Sequence, residues 1–162
     1  MADWKTRKSL GDQHELRVLT ELQRHGWTVH PCGQGTYPAA IQRALRACDS
    51  ALRQFPDMIA ARGPDVVVID AKTRSRPHTG RYAISRTCVR AGLQFVGANA
   101  PIPLYYVLGD ISDNLTVLTP AEISAYTKTG HLHPSGAYYL IEARHAHPFE
   151  AVFGTTPQAM TA

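Results

Sequence analysis

The order of apolar and polar positions divides the chain into alternating helical and strand-like segments. From about Ser9 to Gly26, Leu16, Leu19, Leu22 and Gln23 fall on adjoining faces at helical spacing, and Gly26 is a natural stop. Trp27-Thr28-Val29-His30 follows as a short strand ended by Pro31. Cys32-Gly33-Gln34-Gly35-Thr36 reads as a loop whose two glycines keep it mobile. A second helix is expected from Pro38 to about Gln54, burying Ile41, Ala44, Leu45, Cys48 and Leu52. Asp57–Ala61 and Asp65–Ala71 make two strands joined tightly at Arg62-Gly63-Pro64, which is a hairpin pattern. Val66-Val67-Val68-Ile69 is apolar at successive positions, as suits a strand covered on both faces. Thr73 to Gly80 is a basic, polar loop, and a third helix is expected from about Ala83 to Gly97, with Ile84, Cys88, Ala91 and Phe95 on one side.

Leu104–Leu108 and Leu115–Leu118 are strand-like, with a turn over Gly109–Asn114. Thr119-Pro120-Ala121-Glu122 combines a threonine cap, a proline at the first helical position and the glutamate of a capping box. Ala137–Ala143 is a last strand candidate, either extending the core sheet or forming a dimer arm, and no pattern follows Phe153. Helices alternating with strands, and no repeat or linker, predict one α/β domain over residues 1–153, with 154–162 a flexible tail.

Length and composition narrow the class. At 162 residues the chain can bury a sizeable core, and 44% hydrophobic with 19% charged residues is ordinary for a globular protein. No apolar run approaches the roughly 20 residues of a membrane span, and Met1-Ala2-Asp3-Trp4-Lys5 lacks a secretory signal, so a cytoplasmic location is expected. Cys32, Cys48 and Cys88 are odd in number and far apart, which predicts buried reduced thiols rather than a disulfide framework or zinc ribbon. The net charge of +4, drawn mostly from arginine, favours a polyanionic partner, because guanidinium forks pair with phosphate oxygens.

The candidate chemistry lies around the hairpin. Asp70 and Lys72 are one residue apart on a strand, so both side chains leave the same face where an apolar run emerges into solvent. Counted inward from Gly63-Pro64, Asp57 pairs close to Asp70, bringing two carboxylates and an ammonium into one small volume. Glu15 aligns with Leu19 and Leu22 on the inward helix face, where a carboxylate is costly unless a cation compensates it. Such a set suits hydrolysis of a phosphodiester, which needs charge neutralised on the phosphate, an activated water and a protonated leaving oxygen. Carboxylates supply oxygen ligands for a hard cation such as Mg²⁺ or Mn²⁺, and a lysine beside it can orient or deprotonate water.

Pro56-Asp57 followed by Asp70-Ala71-Lys72 resembles the PD-(D/E)xK nuclease motif, with aspartate in the variable acidic place. With Glu15 on the first helix, the order of elements resembles the restriction-endonuclease-like core, a three-layer α/β fold with a central mixed sheet. The likeness covers roughly Gly11 to Gly109, and the archaeal-type Holliday junction resolvases are nearest in length and layout. The resemblance implies a Mg²⁺- or Mn²⁺-dependent DNA endonuclease acting in recombination or repair, working as a homodimer. It also implies that Asp57, Asp70 and the Ala71 carbonyl bind metal, that Glu15 assists, and that Lys72 serves the attacking water. One departure is the segment from Gly33 to Phe55, longer than the connection in compact resolvases. Gln94 resembles the extra glutamine of exonuclease-like relatives.

Other readings compete. Glu15 also fits an Asp12-x-x-Glu15 capping box, and Asp70 with Lys72 also fits a surface ion pair. Arg74, Arg76, His78 and Arg81 near the strand exit, with Arg86, Arg90 and Gln94 along the third helix, suit DNA phosphates or a solvated face. His131-Leu132-His133 and His145-Ala146-His147 lack completing ligands and are read as surface histidines. Tyr105-Tyr106 and Tyr138-Tyr139 suit base stacking or strand burial equally. Gly33-Gln34-Gly35 is too short to cradle a phosphate. Among functions, a restriction-type or mobile-element nuclease, a non-cleaving nucleic-acid-binding module and a protein-interaction domain stand as alternatives.

Overall fold

A computed structural model of the chain describes residues 4–48, 51–73, 80–109, 114–127 and 135–154. In chain order the first half contains α1 (Trp4–Arg24), β1 (Thr28–Pro31), α2 (Ala39–Ala47), β2 (Met58–Arg62), β3 (Asp65–Lys72) and β4 (Arg81–Ser85). The second half contains α3 (Arg86–Ala98), β5 (Leu104–Leu108), β6 (Thr116–Leu118), α4 (Pro120–Thr127), β7 (Tyr138–Glu142), β8 (His147–Pro148) and α5 (Phe149–Phe153). Among the described residues, six strands form one mixed sheet in the order β1-β2-β3-β5-β6-β8, and β4 pairs with β7 in a separate ribbon.

The β2–β3 hairpin turns at Gly63, whose φ of +58° is open to glycine at no steric cost, and its register runs from Arg62↔Asp65 to Met58↔Ile69. β3 and β5 are parallel, from Val68↔Leu104 to Lys72↔Leu108. A parallel pair needs a long crossover, which β4 and α3 provide. Two layers then cover the sheet. On one face α1 and α5 pack Val18, Leu22, Phe149 and Phe153 against Met58, Val67, Ile69 and Val107. On the other, α3, α4 and the ribbon pack Tyr82, Ile84, Val89, Ile123 and Ile141 against Val68, Leu104, Tyr106 and Leu118. This double cover is why Val67, Val68 and Ile69 are all buried in succession. The Thr119 capping box forms as expected: the Thr119 N–H donates to Glu122 Oε2 at 2.7 Å, and the Glu122 N–H donates to Thr119 Oγ1 at 3.2 Å.

Several expectations are corrected. α1 begins at Trp4 rather than Ser9, so Asp12 and Glu15 lie inside it and cannot form a capping box; Asp12 instead accepts from Lys8 at 2.7 Å. The inward line is His14, Val18 and Leu22, at i, i+4 and i+8, while Leu16 faces solvent. Residues 81–85 form a strand and not the start of a helix, because Tyr82 and Ile84 alternate inward and the segment pairs with β7. β7 therefore joins the ribbon rather than the main sheet. The helix expected over Pro38–Gln54 breaks after Ala47, and α2 buries none of its residues; Ile41 is 47% and Leu52 55% exposed. Of the cysteines only Cys88 is buried, with Cys32 intermediate and Cys48 exposed. β1 does end at Pro31, which is itself paired with Met58, as its missing N–H permits on an edge strand.

Candidate active site

The polar end of β3 meets the start of β2. Met58↔Ile69 is the last paired position, so the residue before β2, Asp57, falls beside the residue after Ile69, Asp70. Asp57 Oδ2 accepts the Ala71 N–H at 2.9 Å. Lys72 Nζ stands 2.5 Å from Asp70 Oδ1. Glu15 reaches the same cleft from α1, a cavity of about 390 Å³ lined also by Gln54, Asp57, Ala71, Lys72, Ser85, Cys88 and Tyr138. The structure thus brings Glu15, Asp57, Asp70, Ala71 and Lys72 together.

The neighbours that hold this cluster come from other elements. Cys88 on α3 donates its thiol to Asp70 Oδ2 at 3.4 Å, and the Tyr106 hydroxyl donates to the Cys88 carbonyl at 3.0 Å. Lys72 Nζ lies 6.0 Å from the Tyr106 ring centre, within cation–π reach. Asp57 is gripped from behind, its carbonyl accepting the Cys32 N–H at 2.8 Å and the Gly33 N–H at 3.0 Å. Only glycine fits at position 33, because a Cβ there would meet Asp57 Cα and Oδ1 at 2.9 Å. Gly33 is buried and serves close packing against Asp57, not loop mobility.

Three carboxylates face one ammonium, and the electrostatics follow. Burial and the adjacent Asp70 carboxylate push Asp57 up to about 9. Burial, Asp12 and Asp70 also raise Glu15. Burial works against the Lys72 ammonium, but Asp70 and Asp57 outweigh it and hold the lysine charged. Burial pushes the Cys88 thiol up to about 11, so it remains a protonated donor to Asp70. The cluster is therefore short of positive charge, and its donors are hard oxygens, the chemistry that Mg²⁺ or Mn²⁺ suits. No three His, Cys, Asp or Glu side chains among the described residues enclose an ion by themselves. A hard cation held by two aspartates and a backbone carbonyl fits this set, because Mg²⁺ keeps several waters and needs only one or two carboxylates.

The other candidates divide. Arg86, Arg90 and Gln94 lie exposed along α3, with Arg86 Nη1 donating to the Gly136 carbonyl at 3.1 Å. Arg81 is turned toward Glu142, 3.9 Å away in the ribbon, and not toward the cleft. Arg74, Arg76, His78, His131 and His133 lie outside the described residues, as does the tail from residue 155. His145 and His147 face different carboxylates, Glu142 at 3.9 Å and Glu122 at 2.6 Å, so that pair shares no ligand position. Tyr106 is fully buried and so is not available for stacking a base, while Tyr105 is half-buried against the α1-side core. Cys88, Tyr106, Tyr138 and Gly33 are the site neighbours that sequence reasoning missed. The parallel Asp70↔Tyr106 register that aligns one of them leaves no local signal in the sequence.

No protein family model matches the chain, and no curated protein matches it significantly in sequence. Among solved structures it is similar to Hjc, a Holliday junction resolvase from the archaeal hyperthermophile Archaeoglobus fulgidus, with a TM-score of 0.58. The match covers 88% of this chain and 99% of Hjc at 16% identity. The fold is that of an archaeal Holliday junction resolvase. The likeness accounts for the mixed sheet with helices on both faces and bears out the expected three-layer α/β fold with a central mixed sheet. At this identity the likeness carries the fold alone, and the chemistry must be argued from this chain's own residues. No helix among the described residues is long and apolar enough to cross a membrane.

Proposed function

We propose that the chain is a divalent-metal-dependent DNA endonuclease of the PD-(D/E)xK type, acting on branched DNA such as a four-way junction. The observation that carries this reading is the meeting of Asp57, Asp70 and Lys72 at the end of β3, with Glu15 beside them, on a resolvase fold. Asp57, Asp70 and the Ala71 carbonyl would hold Mg²⁺ or Mn²⁺, with Glu15 assisting. Such a cation, when bound, neutralises charge on the phosphate and makes water a better nucleophile.

Lys72, held cationic by Asp70, acts as a donor that orients the attacking water and offsets negative charge on the phosphoryl oxygens. It is a poor general base, since its proton is retained. Glu15 is half-buried, lines the cleft and has a raised proton affinity, which suits it to take the proton leaving that water. The Ala71 N–H and the backbone grip of Cys32 and Gly33 fix Asp57 in position before substrate arrives. A homodimer would present two such clefts, one for each strand of a symmetric junction. An intracellular location follows from a DNA substrate.

The test is cleavage of labelled four-way junction, linear duplex and single-stranded DNA with Mg²⁺, Mn²⁺ or EDTA. Metal-dependent cutting with preference for the junction is the expected result. Binding without cutting under any metal would replace the enzyme with a nucleic-acid-binding module, and preference for linear duplex would move the substrate class toward a restriction-type nuclease.

A further inference from the structure

β1 and β2 are antiparallel neighbours whose last pair is Pro31↔Met58, and such strands need only about two connecting residues. The chain instead leaves the sheet after Pro31 and makes a long excursion, through Gln34–Thr36, α2 and Ala51–Gln54, before returning at Asp57. The excursion is not there to complete the core, because α2 buries none of its residues. Both of its ends are fixed beside the catalytic cleft: Gly33 packs on Asp57 at one end, and Gln54 lines the cleft at the other. The Gln34 side-chain amide donates to the Arg53 carbonyl and ties the two limbs together. Phe55 stacks edge-on against Phe95 at 5.8 Å and seats the base on α3.

Its charge is one-sided. Residues 33–55 carry Arg43, Arg46 and Arg53 against a single acidic residue, Asp49. On α2, Arg43 and Arg46 lie one turn apart, opposite Ile41 and Leu45. Several arginines elsewhere are committed: Arg62 donates to three carbonyls, Arg24 pairs with Glu21, and Arg144 pairs with Glu142. Arg43, Arg46 and Arg53 are exposed, and no ion pair among the described residues engages them. Exposed guanidinium groups on an arm rooted beside a phosphodiester-cleaving site match a polyanionic backbone. Resting on the nuclease reading, we infer that residues 33–55 form a DNA-gripping arm, with Arg43, Arg46 and Arg53 taking backbone phosphates of the strand that flanks the cut.

The experiment is fluorescence anisotropy of a labelled four-way junction in EDTA, across a salt series, so that binding is read without cleavage. The variants are the triple Arg43→Gln/Arg46→Gln/Arg53→Gln and a control, Arg24→Gln/Arg144→Gln, which removes exposed charges that are already paired. Each phosphate contact adds about 0.9 to the slope of log K against log salt, so the triple variant should lose roughly 2–3 from the slope. By the same relation it should bind roughly a hundredfold or more weakly at about 0.1 M salt, converging with wild type near 1 M, while the control barely changes. An unchanged slope in the triple variant, or an equal loss in the control, overturns the inference. Loss of self-association in Ile41→Ser, with the triple variant still binding normally, overturns it in favour of a protein interface. Junction binding that depends on the arm in a wild-type protein that never cuts would sink the nuclease reading and leave the arm standing; absence of any binding removes both.

Discussion

Replacing Asp57 by asparagine isolates the electrostatic stress of the cluster. The substituted amide keeps an oxygen for the Ala71 N–H but removes one of the three carboxylates. The Asp57 carboxyl is raised from 3.8 to about 9 by burial and by Asp70, so between those values the folded protein holds a proton that the unfolded chain releases. Stability from this group is therefore full below pH ~4 and is lost as pH rises through about 9. The slope is about 1.4 kcal/mol per pH unit, so metal-free wild type should lose up to about 3 kcal/mol between pH 6 and 8. For a domain of this size that is a fall of roughly 6–12 °C in Tm. Differential scanning fluorimetry in EDTA should show this fall in wild type and a markedly flatter profile in Asp57→Asn, which becomes the more stable protein at pH 8. On the proposed reading Mg²⁺ would bind the ionised cluster, and it should then restore wild type at pH 8 by about 2.7 kcal/mol at a hundredfold excess over Kd, while leaving the variant almost unmoved. Parallel Tm–pH curves for the two proteins in EDTA would refute the reasoning.

Other expectations concern the frame around the site. Arg62 Nη1 donates to the carbonyls of His25, Phe153 and Gly154 at 2.9–3.0 Å, and its guanidinium lies 4.5 Å from the Trp27 ring centre. Arg62→Ala should cost roughly 2–4 kcal/mol in urea denaturation, without changing the Mg²⁺-induced stabilisation measured at the far end of the sheet. At Gly92 a Cβ would collide with the Tyr106 hydroxyl and lie 3.0 Å from Pro120 Cγ, so Gly92→Ala should destabilise by about 1–3 kcal/mol; wild-type stability would contradict that packing. Iodoacetamide at pH 8, read by peptide mass spectrometry, should label exposed Cys48 first and Cys88 only on unfolding, because burial pushes the Cys88 thiol up to about 11.

The parts of this fold legible in the sequence are those written in local pattern. The hairpin at Gly63-Pro64, the doubly covered run through Ile69 and the capping box at Thr119 each depend on neighbours a few residues apart. The meeting of Asp57 with Asp70 follows from counting inward from the turn, since an antiparallel register is fixed by its loop. Glu15 follows from helical spacing, although its helix starts five residues earlier and the true inward line runs through His14 and Val18. What is illegible depends on tertiary partners. Arg81–Ser85 carries residues that suit helix or strand, and its pairing with β7 decides the matter. The apolar pattern of α2 suggests burial, yet none of its residues is buried, because no packing partner is written in its local pattern. Cys88 meets Asp70 only because the crossover lays α3 across the end of β3.

The central claim is that Asp57, Asp70 and Lys72 form a metal-dependent hydrolytic centre with Glu15. The most direct measurement is single-turnover cleavage of a 5′-labelled four-way junction in Mg²⁺ by wild type, Asp70→Asn and Lys72→Ala, with thermal melts confirming that each variant is folded. The account predicts cutting by wild type that EDTA abolishes, and a loss of at least roughly a hundredfold in both variants while junction binding persists. Folded Asp70→Asn and Lys72→Ala proteins that cut at the wild-type rate would contradict it.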